Sequence, residues 1–304
     1  MSQGISPILD FTAGTIAGSA ALIVGFPFDT VKVRLQNPSV GVQYRSTFHG
    51  VTTIIRQEGF RSLFRGISSP LVTAAPLNGL VFSSYKFFMR AQLDSEDSIP
   101  SLTQVTLAGA ATGVVGSILT TPTELIKIQQ QSQQSLRGSD KPPTFIDVAR
   151  RILRQHGIRG LYRGITSTAL RDTGYGAYFA AYEATLLYFP TRPAEPYDHT
   201  SLLSEADSTI ASHSLFTLLL AGGLAGIAGW IVTFPFDVVK TRIQASHDYS
   251  RTNPYRNTWS AIIHSHRQDG LSVFFRGLAP TLIRAIPVNM VTFATFEAIV
   301  HAFS

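Results

Sequence analysis

The stretch FPFDTVKVRLQ at 26–36 sets a carboxylate, two cations and an amide within three turns of chain, directly after an apolar run. It returns as FPFDVVKTRIQ at 234–244 and, altered, as TPTELIKIQQQ at 121–131. In each copy the acid and the first base stand three residues apart: Asp29 with Lys32, Glu124 with Lys127, Asp237 with Lys240. That spacing puts each pair on neighbouring positions of one helical face. Charges beside apolar helices are costly unless paired or hydrated, so the chemistry expected of them is reciprocal ion pairing. Nothing accompanies them that would make an enzyme: there is no Ser-His-Asp arrangement, no phosphate loop, and the eight histidines lack metal-ligand spacing. No metal is expected, nor any cofactor. The absence of cysteine excludes a disulfide framework, a thiolate metal site and a cysteine nucleophile together.

The elements that must position these groups are apolar. Charged residues make up 14% of 304, against about a quarter in a soluble protein of this size, and mean hydropathy is positive at +0.15. A net charge of +6 could suit nucleic acid, but no concentrated basic face interleaved with base-reading side chains accompanies it. Anionic lipid is the better partner. No lysine or arginine precedes Lys32, so the start of the chain reads as neither a basic signal peptide nor a transit peptide.

Three offsets define a repeat. A Gly-x-x-x-Gly pair precedes each proline, Gly14 and Gly18 before Pro27, Gly109 and Gly113 before Pro122, Gly222 and Gly226 before Pro235, with the second glycine nine residues upstream each time. A proline inside an apolar helix removes a donor and kinks the axis, letting the helix lean across a bundle and close one end of it. Downstream come EGFRSLFRG, HGIRGLYRG and DGLSVFFRG, each followed by an apolar stretch of about twenty residues, long enough for one span. Six spans in three pairs result. The odd ones are expected at 8–36, 104–131 and 214–244, the even ones at 68–92, 166–190 and 279–302, with short surface helices at 47–57, 144–155 and 257–267. The repeats divide as 1–99, 100–205 and 206–304 within one integrated transmembrane domain. Of 25 lysines and arginines, 20 fall in the three loops inside the repeats, whereas the connections between repeats are acidic. The positive-inside preference puts those loops on one, non-translocated side and both termini on the other.

Pro-x-[Asp/Glu]-x-x-[Lys/Arg]-x-[Lys/Arg]-x-Gln, three times over about a hundred residues each and followed by [Asp/Glu]-Gly and [Phe/Tyr]-Arg-Gly, resembles the mitochondrial carriers over essentially the whole chain. The resemblance implies an all-α membrane protein of six transmembrane helices in three tandem repeats. These would form a pseudo-threefold barrel with short matrix surface helices, in the inner membrane, with termini toward the intermembrane space. It implies a monomer that moves small metabolites by alternating access. Asp29, Lys32, Glu124, Lys127, Asp237 and Lys240 would then form the matrix gate, the acid of one repeat reaching the lysine of the next. Gln36, Gln131 and Gln244 resemble the glutamines that brace such pairs. Gly59, Gly66, Gly157, Gly164, Gly270 and Gly277 would help cradle cardiolipin as a structural lipid, helix N-termini being suited to phosphate. Repeat two departs from its siblings: Gln129 replaces Arg34 and Arg242, and His156 replaces Glu58 and Asp269.

Substrate contacts in such carriers lie seven and eight residues past the aromatic-Arg-Gly glycine. Here those positions hold Thr73 and Ala74, Arg171 and Asp172, Arg284 and Ala285. Arg171, Asp172 and Arg284 are charged residues well inside the even spans, where function is the default explanation. A guanidinium fork suits a carboxylate and a neighbouring carboxylate suits an ammonium, so the substrate is expected to bear both. The Arg-Asp pair resembles the carriers of amino acids, basic ones included, and of carnitine. A carboxylate or keto acid is the alternative, with Asp172 engaged by Arg171, and a transport-inactive membrane adaptor is a third reading. Asn78, Tyr175, Trp230 and Asn289 are candidates for selectivity. The outer, cytosolic gate is expected to be weak. Lys86, Glu183 and Glu297 occupy its positions, but Lys86 replaces an acid, and Glu183 sits one residue out of register, about 100° around a helix.

Overall fold

The computed structural model describes residues 7–93, 101–133, 143–188, 215–250 and 252–303. Among them there is no strand, and the α-helices number ten: α1 (Pro7–Gln36), α2 (Thr47–Glu58), α3 (Ser68–Arg90), α4 (Leu102–Ser132), α5 (Phe145–Leu161), α6 (Ile165–Asp172), α7 (Gly174–Tyr188), α8 (Leu215–Ala245), α9 (Thr258–Asp269) and α10 (Leu278–Phe303). The odd spans are α1, α4 and α8, each carrying its proline inside: Pro27, Pro122 and Pro235. The even spans are α3, the pair α6 and α7, and α10. Among the described residues three stretches, Thr12–Gln36, Leu102–Ser132 and Leu271–Phe296, are long and apolar enough to cross a membrane.

One expectation needs correction: the span expected at 166–190 is two helices with a break at Thr173. The surface helix expected at 144–155 is interrupted at Gly157, whose φ of 63° and ψ of −165° are not helical, and a further short helical stretch runs on to Leu161. Gly157 is one of six glycines at positive φ, with Gly59, Gly66, Gly164, Gly270 and Gly277. All six glycines of the two repeated turns thus hold a backbone that a Cβ opposes, which explains why the turns recur with glycine at those two points.

The surface helices start at matched caps. Ser46 accepts from His49 N at 3.2 Å, Thr144 from Asp147 N at 3.3 Å, and Asn257 from Ser260 N at 2.8 Å. The middle one is a full capping box, because Asp147 Oδ2 accepts in return from Thr144 N at 2.9 Å. These bonds to Thr144 hold the Asp147 carboxyl below the ordinary carboxylate range.

The chain forms two compact units, Met1–Ala75 with Thr123–Arg163 and Thr241–Ser304, and Pro76–Pro122 with Gly164–Lys240. In the first unit α1 packs along α10. Val31, Leu35, Tyr44, Ile54 and Leu63 form one core cluster there, and Leu125, Ile126, Val148 and Ile152 another. Val33, Ile128 and Ala245 meet in a third, so the ends of α1, α4 and α8, one from each repeat, converge within this unit.

The second unit packs by close backbone approach. A Cβ on Gly113 would lie 2.0 Å from the Asp172 carbonyl oxygen, and one on Gly176 would lie 2.7 Å from that of Thr106. In lipid, where burial of apolar surface gives no drive between helices, such small-residue contact is what holds them. Gly14, Gly18 and Gly226, by contrast with Gly113, have open space around the same point.

Gly113→Ala is therefore expected to lower stability by about 1–3 kcal/mol through a backbone clash, whereas Gly226→Ala should be neutral or slightly stabilising; melting of both variants in detergent checks this. Because the folded Asp147 pKa is depressed, its capping contribution is fully present at neutral pH and fades as pH falls through that pKa. The melting difference between wild type and Asp147→Asn should accordingly shrink on acidification.

Candidate functional site

The convergence of α1, α4 and α8 determines which charges meet. Lys127 Nζ donates to Asp29 Oδ2 at 2.9 Å, joining the base of repeat two to the acid of repeat one, and lies 4.8 Å from the centroid of Phe26, the residue before the kink proline. The other Asp29 oxygen, Oδ1, accepts from the Arg284 guanidinium. Two cations thus share one carboxylate that is 9% exposed, an arrangement that offsets the desolvation of a buried charge. Glu124 and Lys32 stand partly buried in the same unit, while Asp237 and Lys240 are buried in the other.

Around this ion pair the three glutamines repeat one geometry. Gln131 Nε2 donates to Thr30 Oγ1 at 3.0 Å, and Thr30 Oγ1 passes its own proton to the Leu63 carbonyl at 2.6 Å, reaching the turn of repeat one. Gln244 Nε2 donates to the Arg163 carbonyl at 3.4 Å, in the turn of repeat two. Gln36 lies so near Gly277, in the turn of repeat three, that a Cβ there would come within 3.4 Å of it. Gln244 and Gln36 therefore lie against the aromatic-Arg-Gly turn of the preceding repeat and Gln131 reaches it through Thr30, and all three are fully buried.

The turn arginines return the contact. Arg65 Nη1 donates to the Gln133 carbonyl at 3.0 Å, and Arg163 Nη1 to that of Ser246 at 3.0 Å, each two residues past the brace glutamine of the next repeat. These are carbonyls at or just past a helix end, which lack an intrahelical partner and favour a cation. Burial draws the Arg65 pKa below its ordinary value, against the opposing pull of Glu58.

Sequence reasoning did not assign the second base of the phrase. Arg34 Nη1 pairs with Glu58 Oε1 at 2.9 Å and Arg242 Nη2 with Asp269 Oδ2 at 2.8 Å, tying each odd helix to the acid that closes its own surface helix. The signal was available in the common loss of both partners in repeat two, at Gln129 and His156.

In the second unit Arg171 and Asp172 stand at the end of α6. Arg171 Nε donates to Asp172 Oδ1 at 2.7 Å, and its Nη1 lies 3.8 Å from Asp237 Oδ1. Thr120 Oγ1 donates to the other Asp172 oxygen at 3.3 Å. Asp172 is 5% exposed, so its charge is held by these groups, not by bulk water. Both arginines at the candidate contact positions therefore touch an acid of the Pro-x-[Asp/Glu] phrase: Arg284 touches Asp29, and Arg171 touches Asp237.

Thr73 is partly buried and donates to the Ser69 carbonyl at 2.9 Å, while Ala74, Asn78, Ala285 and Asn289 are exposed. Trp230 packs edge-on to Phe234 at 6.0 Å, a helix-internal contact. Lys86 is partly buried on α3; the side chains of Glu183, Glu297 and Tyr175 lie outside the described residues.

A family model described as mitochondrial carrier protein matches residues 3–96, 99–193 and 211–304. The chain is 42% identical to the mitochondrial basic amino acids transporter of Bos taurus, over 96% of this chain and 91% of the relative. It is 38% identical to a mitochondrial arginine transporter of Arabidopsis thaliana, over 95% and 89%, and 34% identical to solute carrier family 25 member 45 of Homo sapiens, over 96% and 97%. With three tandem matches in register with the three Pro-x-[Asp/Glu] phrases, the chain belongs to the mitochondrial carrier protein family.

Proposed function

We propose that this chain carries a basic amino acid across the mitochondrial inner membrane by alternating access, as a monomer with its termini toward the intermembrane space. The observation that carries the reading is the double engagement of the site arginines. Arg284 holds Asp29 and Arg171 holds Asp172 and approaches Asp237. A substrate carboxylate on Arg284 competes directly with Asp29 for the guanidinium. Binding at the site then takes an interaction away from the ion pairs of the matrix gate, which is the differential energy a conformational change requires. Asp172, buried beside Arg171, supplies the carboxylate that a substrate's second cation needs. The names of the relatives from Bos taurus and Arabidopsis thaliana support a basic amino acid over a carboxylate, keto acid or carnitine-like substrate.

In this reading Asp29, Lys32, Glu124, Lys127, Asp237 and Lys240 close the matrix side, and the three glutamines brace them. The six turn glycines, each ahead of a helix or helical turn, offer backbone amides to the phosphates of cardiolipin. Lys86 with Glu183 or Glu297 forms at most a weak cytosolic gate.

Uptake of labelled arginine or lysine into proteoliposomes tests the assignment. Arg284→Ala should lower kcat/KM by at least about tenfold, the weight of one charge-assisted hydrogen bond or more. Asp172→Asn should chiefly erode the preference for cationic over neutral amino acids, and uptake of a dicarboxylate in place of either amino acid would overturn the reading. For the gates, Asp29→Ala removes one partner of a buried pair and should cost about 3 kcal/mol, against under about 1 kcal/mol for Lys86→Ala. Melting of the two variants side by side distinguishes them, and equal shifts would contradict the weak outer gate.

A further inference from the structure

Repeat two has lost an ion pair that its siblings keep, and three of its side chains meet a different group. Gln129 stands where Arg34 and Arg242 stand, His156 where Glu58 and Asp269 stand, and Arg163 corresponds to Arg65. In repeat one a single acid serves both bases, since Glu58 accepts from Arg34 at 3.1 Å and from Arg65 at 2.8 Å. Repeat two offers no such acid.

Gln129, His156 and Arg163 converge on Tyr249, which lies in the segment after α8 and so belongs to repeat three. The His156 ring stacks on it with centroids 3.6 Å apart and planes 12° from parallel. The Arg163 guanidinium lies over the ring 4.2 Å from its centroid. Gln129 Nε2, on a side chain 1% exposed, donates to the hydroxyl at 3.5 Å. The π face attracts the Arg163 guanidinium, and the hydroxyl gives the buried Gln129 amide an acceptor. The segment is itself held in shape: Arg163 Nη2 donates to the Tyr255 carbonyl at 3.2 Å and Asn253 Nδ2 to Ser246 Oγ at 2.9 Å. The residues five past the other two brace glutamines are Gly41 and Leu136, and neither could act in this way.

We propose that Tyr249 is a positioning residue that replaces the missing acid of repeat two. By holding Arg163, Gln129 and His156 together it fastens the segment after α8 to repeat two, and so sets Gln244 against the Arg163 carbonyl. The functional part of this proposal rests on the carrier reading above, because the fastening acts where that reading places the matrix gate. Tyr249 touches no residue of the substrate site, so its removal should change how fast the gate closes and leave substrate affinity alone.

The full chain in proteoliposomes, with labelled arginine, and the same protein melted in detergent decide the matter. Tyr249→Ala should lower the maximal uptake rate roughly three- to tenfold at unchanged KM, the weight of a cation–π contact and a hydrogen bond, and lower the Tm. Tyr249→Phe keeps both ring contacts but removes the acceptor of Gln129, and should fall between wild type and Tyr249→Ala in both rate and Tm. Restoring the sibling pair in the triple variant Tyr249→Ala, Gln129→Arg, His156→Glu should recover both rate and Tm. If Tyr249→Ala gives no folded protein, Tyr249→Leu, which keeps bulk without a π face, stands in with the same expectation. The proposal is overturned if loss of the ring leaves rate and Tm as in wild type, or if the triple variant is no better than the single one. Should wild type carry no amino acid, the transport reading fails on its own, and the order of Tm values still decides whether Tyr249 fastens the two repeats.

Discussion

A carboxylate shared by two cations, Asp29 between Lys127 and Arg284, is the constraint on which the rest of this structure turns. A lone buried charge beside apolar helices is untenable, so whatever supplies its partners must be brought to it and kept there. The ends of α1, α4 and α8, beyond their internal prolines, meet in the Val33, Ile128 and Ala245 cluster, which fixes their approach. The glutamines and turn arginines then close the arrangement from repeat to repeat. Few of these contacts are apolar, as expected where lipid removes the hydrophobic drive between helices and hydrogen bonds and close packing must act instead.

Much of this was legible in the sequence because it is encoded locally and then repeated. Proline position and the glycine turns each follow from backbone rules that act within a few residues. The Lys127 to Asp29 pairing followed from the reciprocity that three equivalent phrases impose. What was not legible is what depends on a neighbour. Gly113 and Gly226 occupy the same place in their repeats, yet one meets the Asp172 carbonyl and the other meets nothing within 4 Å. The break at Thr173 gives the same lesson, since the carbonyl offered to Gly113 belongs to the last residue of α6.

Arg284 shows the limit most clearly. Its place inside an apolar span makes function the default expectation for it, and its distance from Gly277 matches the contact position that the carrier resemblance implies. Neither says that it spans 255 residues of chain to reach Asp29. Gly25 reveals how close the helices come there: a Cβ on it would meet the Arg284 side chain at 3.3 Å and Val288 at 2.7 Å, so α1 lies against α10 at the level of the guanidinium. That contact joins two residues that the sequence treats separately, Arg284 of an even span and the phrase acid Asp29.

The coupling is uneven among the repeats, and the unevenness carries chemical information. Arg171 and Arg284 each touch the acid of the repeat that follows in cyclic order, Asp237 and Asp29. The corresponding place in repeat one holds Thr73 and Ala74, and Thr73 spends its hydroxyl proton on the Ser69 carbonyl of its own helix. No formal charge at that place competes for Glu124. The three repeats are thus matched in their ion-pair phrases and unmatched at these positions: repeats two and three place a guanidinium against the acid of the phrase, and repeat one places a hydroxyl and a methyl there. Under the proposed carrier function the repeats would therefore offer a substrate different chemistry, and such inequality is what lets matched repeats discriminate between ligands.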